Sequence, residues 1–180
     1  MKDAEILNIL SRYSDKAKIG LAMPAVTLDT IIKNREFCAT DDCGCYGKYC
    51  SCPPLCGTPE ERLDVLAHYS KSAIVPILFH ADYRNREQMK NCTKTLQDKC
   101  REMVLELRKA GLECLGFADD GCRYCERCAA LDGKPCRFPD MQIQSVSGNG
   151  IQMMDYLKAS GLENVFEEGR IEMYAVIVYN

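Results

Sequence analysis

The chain has 180 residues, a formal net charge of −3 and 47% hydrophobic residues, which predicts a single domain spanning residues 1–180 with a substantial core. The negative charge disfavours a general nucleic-acid-binding surface, and no apolar run approaches the roughly 20 residues that a membrane span requires. The N-terminal segment is charged and lacks the apolar region of a secretion signal, so we expect a cytoplasmic protein without membrane association.

Thirteen residues of the chain are cysteines. In a reducing cytoplasm so many thiols indicate metal ligation rather than disulfide cross-links, and the odd number agrees with this interpretation. Their abundance also suits an anaerobe. Ten of the thirteen fall in two segments, residues 38–56 and 121–139, which we term the upstream loop and the downstream loop.

The N-terminal part of the chain predicts short elements. Residues 3–13 have the periodicity of a helix, because their leucines fall near one face. Residues 19–23 predict a strand that ends at Pro24. Residues 28–33 are compatible with either a strand or a helix.

The upstream loop has the sequence CATDDCGCYGKYCSCPPLC. Its glycines and prolines exclude a regular element, so a bound metal is the simplest agent that would order it. One site needs four ligands, however, and spacing alone does not select among six thiols, some of which would be spectators or core residues. The candidates are Cys38, Cys43, Cys45, Cys50, Cys52 and Cys56.

A helix begins directly after the upstream loop. Thr58 is the predicted N-cap, and Glu61 completes a capping box. The helix should run to about Ser70, and the positive end of its dipole would offset some of the charge of a thiolate-bound cluster. Residues 73–80 then form a buried strand, placed at an edge or a bulge because Pro76 cannot donate to a ladder.

Residues 85–110 predict the longest helix, with cap spacing at its start and Gly111 after its end. Cys92 and Cys100 lie on its apolar stripe, so both are interpreted as core residues rather than metal ligands. Residues 113–117 form a short strand that leads into the downstream loop, which would give that loop a rigid foundation.

The downstream loop repeats cysteine every third residue, at Cys122, Cys125 and Cys128. Bacterial ferredoxins hold three ligands of a [4Fe-4S] cluster with the same C-x2-C-x2-C run. Cys136 is the fourth candidate, although it comes after seven further residues and Pro135 precedes it, whereas the ferredoxin run has a shorter gap and a following proline. A zinc site of four cysteines is the alternative; the close spacing of three cysteines favours the iron–sulfur cluster.

The C-terminal part predicts one helix and one strand. Residues 151–160 form the helix, with Ser145, Ser147 or Asn149 as its cap. Residues 169–179 form the last strand, which is apolar on both faces in its C-terminal half and therefore lies inside the sheet. The order of elements predicts an α+β or α/β fold, in which helices pack on a small mixed sheet and the two cysteine loops meet at one end.

Taken together, the two loops and the helix between them resemble a family of predicted metal-binding proteins, domain of unknown function 2284. The matching residues are Cys43, Tyr46, Gly47, Cys52, Pro53, Pro54, Thr58, Pro59, Glu60, Glu61, Cys122, Cys125, Cys128, Pro135, Cys136, Arg137, Pro139, Gly150 and Ile151. The resemblance covers about residues 38–151. It implies a cysteine-ligated metal or iron–sulfur site and supplies no settled activity. The family usually has an aromatic residue where Cys50 stands, and Cys45 and Cys56 are additional to its pattern.

Two ligand sets follow from the residues and the resemblance. The downstream set is Cys122, Cys125, Cys128 and Cys136. In the upstream loop the resemblance selects Cys43 and Cys52, and local spacing adds Cys45 and Cys38, with Cys56 as a substitute. We predict two metal sites, each with an iron–sulfur cluster; one cluster shared between the loops is the alternative.

Three functional hypotheses fit these features. The first is a [4Fe-4S] protein that passes electrons to a redox partner protein. The second is an iron–sulfur enzyme that acts on a small molecule at an open cluster iron, so catalysis stays an open question. The third is a zinc-stapled interaction module. Arg123, Arg127 and Arg137 are expected to offset the charge of an anionic downstream cluster rather than to bind substrate.

Overall fold

The computed structural model describes residues 1–14, 16–20 and 23–180. The helices are α1 (Asp3–Leu10), α2 (Leu28–Ala39), α3 (Pro59–Ala67), α4 (Arg86–Lys109) and α5 (Met153–Ala159). The strands are β1 (Lys18–Gly20), β2 (Lys71–Phe79), β3 (Cys114–Ala118), β4 (Gln144–Ser145), β5 (Phe166–Glu167) and β6 (Arg170–Tyr179). They form one sheet in the order β1-β2-β6-β3-β4, with β5 paired to β6. The predicted α+β fold with a mixed sheet is confirmed.

The centre of the sheet is β6, which pairs antiparallel with β2 on one side and with β3 on the other. Its residues alternate between the two faces. Ala175 and Ile177 lie in one hydrophobic core, and Val176 and Val178 lie in the other. The last strand is therefore interior, as predicted, because helices cover both of its faces.

Each face of the sheet is covered by helices. On one face α4 contributes Leu96 and Met103, and α1 contributes Ile6. On the other face α5 contributes Leu157 and α3 contributes Leu66. The sheet is therefore the middle layer between two cores. Within the described ranges, no helix is both long enough and apolar enough to span a bilayer.

Helix α4 has the predicted start and end signals. The Asn85 side chain accepts hydrogen bonds from two backbone amides of the first turn, each at 3.1 Å. After the helix, Gly111 has a φ of +89°, a conformation that favours glycine at this position. Cys92 and Cys100 are both buried in the core beneath the helix, in agreement with their interpretation as core residues.

Replacement of Cys100 by alanine should lower the free energy of unfolding by about 1 kcal/mol or somewhat more without loss of bound metal. The thiol is fully buried and lies 3.7 Å from the Phe117 carbonyl oxygen, so its removal leaves a small cavity in the core. Urea unfolding and metal analysis of one preparation would check both parts. Cys92→Ala is the matched variant, because Cys92 lies at a less enclosed position of the same stripe. It should lower the free energy of unfolding by a smaller amount. Metal loss from a folded Cys100→Ala protein would contradict the assignment.

Residues 28–33, for which the sequence left strand and helix open, belong to α2. Thr27 caps this helix: its hydroxyl oxygen accepts a hydrogen bond from the Thr30 amide at 3.1 Å, and the Thr27 amide donates to the Thr30 hydroxyl at 2.9 Å. The helix continues through Cys38. The prediction that Cys38 starts an irregular loop is therefore wrong, because the capped helix extends across it.

Helix α3 has the predicted capping box. The Thr58 hydroxyl accepts a hydrogen bond from the Glu61 amide at 3.2 Å, and the Thr58 amide donates to the Glu61 carboxylate at 2.8 Å. The helix ends at Ala67 rather than at about Ser70, because β2 begins at Lys71 and the chain must turn before it.

Pro76 lies in β2, opposite Tyr174 of β6. On the other side of β2, the described residues of β1 pair with Ser72, Ala73 and Ile74. The half of β2 that contains Pro76 is thus an edge of the described sheet. An edge tolerates a residue that has no amide hydrogen, which explains how proline fits into this strand.

The segment between the downstream loop and α5 differs from the prediction. Ser145 belongs to β4, and Ser147–Asn149 forms a 3-10 turn, so none of the predicted caps stands next to Met153, where α5 begins. The reason is tertiary contact. Gly150 has a φ of +74°, and an added Cβ would lie 2.8 Å from the backbone nitrogen of Ile31 in α2. Packing against α2 therefore shapes this turn.

The N-terminal elements are shorter than predicted. Helix α1 ends at Leu10 instead of continuing to Tyr13. Strand β1 covers Lys18–Gly20, and the remainder of that predicted strand includes Leu21 and Ala22, which lie outside the described residues.

Candidate metal centre

The downstream loop leaves the sheet at the carboxyl end of β3, which is one residue later than predicted. Strand β3 pairs in parallel with β4, so the two strands end on the same side. After Asp119 and Asp120 the chain enters the loop, which includes a 3-10 turn at Ala129–Asp132. A strand in the sheet thus supports the start of the loop.

The four predicted downstream ligands lie in one neighbourhood, which we term the downstream site, although no three of their sulfur atoms lie within 4.8 Å of one another. Burial raises the pKa of the Cys136 thiol, and negative charge on Cys122, Cys125 and Cys128 raises it further. Such repulsion is appreciable only between neighbouring groups. All four thiols are partly exposed, so a group bound by them would lie near the protein surface. Ligation by these four residues stays a prediction.

Cys122 is held from two directions. Its backbone amide donates a hydrogen bond to the Ser51 hydroxyl of the upstream loop at 2.8 Å. Its sulfur atom lies 3.7 Å from Nη2 of Arg101, a buried side chain of α4 whose guanidinium also stacks over the Tyr124 ring. The Arg101 guanidinium thus donates a charge-assisted hydrogen bond to the sulfur.

Cys50 belongs to the downstream site in space, although it lies in the upstream loop. Its sulfur atom is 3.8 Å from the sulfur of Cys128, 78 residues further along the chain. Burial and the hydrogen bond with Cys128 raise the pKa of Cys50 to about 11. The downstream site therefore has one thiol more than a four-ligand cluster needs. The sequence contained no spacing signal for this contact.

The four predicted upstream ligands line one cavity of about 200 Å³, which we term the upstream site. Cys38 reaches it from the last turn of α2, and Cys43 and Cys45 reach it from the turns that follow. Cys52 enters it from a buried turn ahead of Pro53. The structure thus places this predicted set around one cavity, and its role as a ligand set stays a prediction.

The upstream thiols differ in acidity. The Cys52 thiol donates a hydrogen bond to the Cys45 sulfur, which lowers the pKa of Cys45 to about 7 and raises that of Cys52. Burial, followed by the charge of Cys45, raises the pKa of Cys43 to about 11. One thiolate forms readily, and a bound cation would be needed to stabilise several at once.

Asp120 is an additional candidate ligand that the sequence analysis missed. One of its carboxylate oxygens and the sulfur atoms of Cys43 and Cys45 all lie within 4.8 Å of one another. Asp120 has a φ of +68°, which is uncommon for a residue other than glycine and often marks a functional site. Its carboxylate also pairs with Arg123 at 2.9 Å. The one available signal was its position between a buried strand and a cysteine loop.

The arginines that contact sulfur differ from those that the sequence indicated. Arg123 lies in the downstream loop, but its Nη2 is 3.8 Å from the sulfur of Cys45 in the upstream site. Arg127 and Arg137 bond to oxygen atoms within the downstream loop itself. Arg123 thus links the two loops, and Arg101 is the arginine next to a downstream thiol.

The upstream and downstream sites are in direct contact through their loops. The Ser145 amide of β4 donates to the Ser51 carbonyl oxygen at 3.4 Å. Gly121 packs so closely on the Tyr49 ring that an added Cβ would overlap it. The two cysteine loops therefore meet beside the carboxyl ends of β3 and β4, at one end of these strands, as the sequence predicted.

Neither histidine is described in contact with a thiol. The His68 ring nitrogen is 3.1 Å from a carboxylate oxygen of Glu113, and both side chains are largely exposed. His80 is exposed beyond the end of β2. These positions agree with solvent-facing roles.

The donor set fits a group that prefers sulfur ligands. Thiolate is the ligand of iron–sulfur clusters and of structural zinc. Each site assembles four or more thiols, and an arginine nitrogen approaches sulfur in both. Four thiolates are the ligand set both of a structural zinc ion and of a [4Fe-4S] cluster, so the ligand type agrees with either.

A family model described as a predicted metal-binding protein (DUF2284) matches residues 24–179 of the chain. No curated protein and no solved structure gives a significant match. The matched range contains every cysteine of the upstream and downstream sites, so the description agrees with the part of the chain in which the thiols assemble.

Proposed function

The chain belongs to the DUF2284 family of predicted metal-binding proteins, and we propose that its metal is iron, held as [4Fe-4S] clusters in an electron-transfer protein. The observation that carries this proposal is the assembly of two adjacent thiol clusters from two loops. A cubane cluster takes four sulfur ligands, and the three-residue repeat of the downstream loop is typical of such clusters. Paired structural zinc knuckles have a different spacing.

Contact between the two sites supports electron transfer from one to the other. The Cys50 sulfur is 3.8 Å from that of Cys128 in the downstream site. Cys52, which follows after Ser51, lines the upstream cavity. A short stretch of backbone therefore connects the two thiol clusters, and two clusters held in this way would be close neighbours.

The side chains around the thiols would influence the potential of a bound cluster. Arg101 and Arg123 each direct a guanidinium nitrogen at a predicted ligand, at 3.7 and 3.8 Å. Positive charge and hydrogen bonds to sulfur favour the more negative, reduced form of a cluster. These two residues would therefore make their clusters easier to reduce.

A redox partner protein would dock on the exposed face of the downstream loop. Tyr124 and Phe138 are 42% and 46% exposed, and their rings meet edge to face with centroids 5.4 Å apart. Aromatic side chains are enriched at protein interfaces. The thiols of this loop are partly exposed, so a partner bound here would approach the cluster closely. A reducing cytoplasm, which the many free thiols favour, suits this role.

Catalysis on a small molecule is the second candidate function, favoured by Asp120 and by a cleft beside it. The cleft has a volume of about 620 Å³, and Cys38, Cys43 and Asp119 of the upstream region line it together with Gln152 at the start of α5. Thiolates suit iron–sulfur clusters better than carboxylates do. A cluster ligand at Asp120 would therefore exchange more readily, and the cleft would give a substrate access to it.

Anaerobic purification followed by visible spectroscopy and by iron and sulfide analysis tests the proposal. We expect a brown protein with equal amounts of iron and sulfide and an EPR signal after reduction. Zinc has no redox chemistry, so a colourless protein that contains zinc without sulfide would refute the iron–sulfur proposal and leave the zinc-stapled interaction module.

Cyanide, a small probe ligand for iron, distinguishes the two iron–sulfur functions. A cluster held by four thiolates should keep its EPR spectrum when cyanide is added. A cluster with an exchangeable ligand at Asp120 should change its spectrum, and Asp120→Cys should suppress that change. An unchanged spectrum in the unaltered protein would remove the support for catalysis at an open iron.

A further inference from the structure

A separate cavity of about 390 Å³ adjoins the downstream site. The turn that carries Cys50 and Cys56 forms one wall, Arg62 of α3 forms another, and Lys134 and Cys136 of the downstream loop close it. Of the four predicted downstream ligands, only Cys136 lines this cavity, so it lies beside the metal site rather than containing it. Its volume is within the roughly 300–1,000 Å³ of small-molecule pockets.

The charged residues that line this cavity are all cationic. They are Arg62 and Lys134, and no described carboxylate forms part of the wall. The cleft beside the upstream site has the opposite character, since Asp42, Asp119 and Asp155 line it without any described lysine or arginine. The chain as a whole has 26 acidic and 23 basic residues, so a wholly cationic lining does not follow from composition. A concave surface of one sign attracts ligands of the other.

Several hydrogen-bond donors in the wall lack a partner among the described residues. Arg62 donates through Nε to the Asn149 side chain at 2.7 Å, but its buried Nη2 donates to none of them. The ammonium of Lys134 and the amide of Gln144, a residue that is 8% exposed, also have no such partner. Leaving the buried Arg62 nitrogen unpaired costs free energy. A ligand that carries several acceptor oxygens would bond to it and to the more exposed donors beside it.

We propose that this cavity binds a small oxyanion, a molecule with a phosphate, sulfate or carboxylate group, beside Cys136. Arg62 and Lys134 supply the positive charge, and the side-chain amides of Gln142 and Gln144 supply neutral donors for the remaining oxygen atoms. An anion held there lies next to the downstream site. Its binding is therefore coupled to the charge of whatever metal group Cys136 holds.

Charge compensation is the competing explanation for the same two cations. Arg62 and Lys134 could serve only to offset the negative charge of the downstream metal site. Cations that only compensate charge need no ligand from solution, so they would not give saturable binding with a fixed stoichiometry. A binding site, in contrast, saturates at one anion per chain and loses affinity when a lining cation is removed. A titration therefore distinguishes the two explanations.

Calorimetric titration of the anaerobically prepared, metal-loaded chain tests the proposal, with sulfate, inorganic phosphate and malonate added separately at constant ionic strength. We expect saturable binding of at least one of the three at one per chain. Lys134→Gln should weaken that binding about tenfold, the effect of losing one charged hydrogen-bond donor. Because the Lys134 side chain is exposed and the described contacts of this residue are made by its backbone, this substitution should leave the fold intact. The probe that binds most tightly shows whether the site prefers a sulfate, a phosphate or a carboxylate group.

Arg127→Gln is the matched control, because it removes the same charge from the same loop. Arg127 pairs with Asp132 and lies outside the cavity lining, so this variant should bind as the unaltered chain does. Absence of binding by all three probes, or equal weakening by both substitutions, would overturn the proposal. Iron and sulfide analysis of each sample reports separately on the iron–sulfur proposal, since anion binding does not require that the metal be iron.

Discussion

The anaerobically reconstituted protein should hold about eight irons per chain, and each of two double variants should hold about four, the content of one [4Fe-4S] cluster. Cys45→Ser with Cys52→Ser should empty the upstream site, and Cys125→Ser with Cys128→Ser should empty the downstream site. The physical reason is that the two thiol sets assemble separately, one around its own cavity and one within a single loop. Iron and sulfide analysis at saturation measures the result.

A cluster shared between the loops predicts a different pattern. The unaltered chain would then reach a plateau near four irons, and both double variants would lose nearly all of them. A content of four irons and one zinc per chain would indicate two metal sites, of which the upstream one is a structural zinc site. Cys92→Ala, in the core beneath α4, is the control and should retain the full iron content. Loss of iron from this control would show that the substitutions act through the fold.

Removal of the metal should leave the sheet intact and abolish the order of both cysteine loops. A metal site of this kind does not exist in the unfolded chain, so the free energy of metal binding contributes to folding. For structural zinc this contribution is of the order of 10 kcal/mol. Among the backbone hydrogen bonds within the loops, those donated by Gly47, Cys56 and Lys134 are suitable reporters. After anaerobic chelation we expect these amides to exchange hydrogen about a hundredfold faster or more.

Amides of the β2–β6 ladder provide the internal control for this experiment. Ile74 and Val176 face each other in the register of these strands and lie in the fully buried part of the sheet, so their exchange should change little. Unchanged protection of the loop amides would contradict the prediction, because the loops would then be ordered by their own contacts. Uniform loss of protection would show that the metal supports the whole fold.

Local signals in the sequence were sufficient to predict most of the helices. The capping box at Thr58 and Glu61 and the cap at Asn85 act within one helical turn, so the residues that decide them are neighbours in the chain. The apolar stripe that includes Cys100 repeats with the helical period, and burial of one face follows from it. These elements were therefore predictable without tertiary information.

Elements that depend on distant contacts were predicted less well. The caps expected at Ser145 and Ser147 failed because Ser145 pairs with β3 and because Gly150 packs against Ile31 of α2. The extension of α2 through Cys38 was missed because residues 28–33 alone carry a pattern that suits either a strand or a helix. A short sequence segment does not include the distant residues against which it packs, and those residues decide between the two local conformations.

The same distinction holds for the candidate metal centre. The sequence by itself predicts Cys122, Cys125, Cys128 and Cys136 as one ligand set, because ligands within a single loop are constrained by their spacing. Only the tertiary structure decided that Cys50 joins them, that Asp120 faces the upstream thiols and that Arg123 reaches across to the other loop. These contacts join residues as many as 78 positions apart. Residues so far apart in the chain come together through the pairing of the strands and the packing of the helices. The local spacing of the cysteines therefore does not predict these contacts.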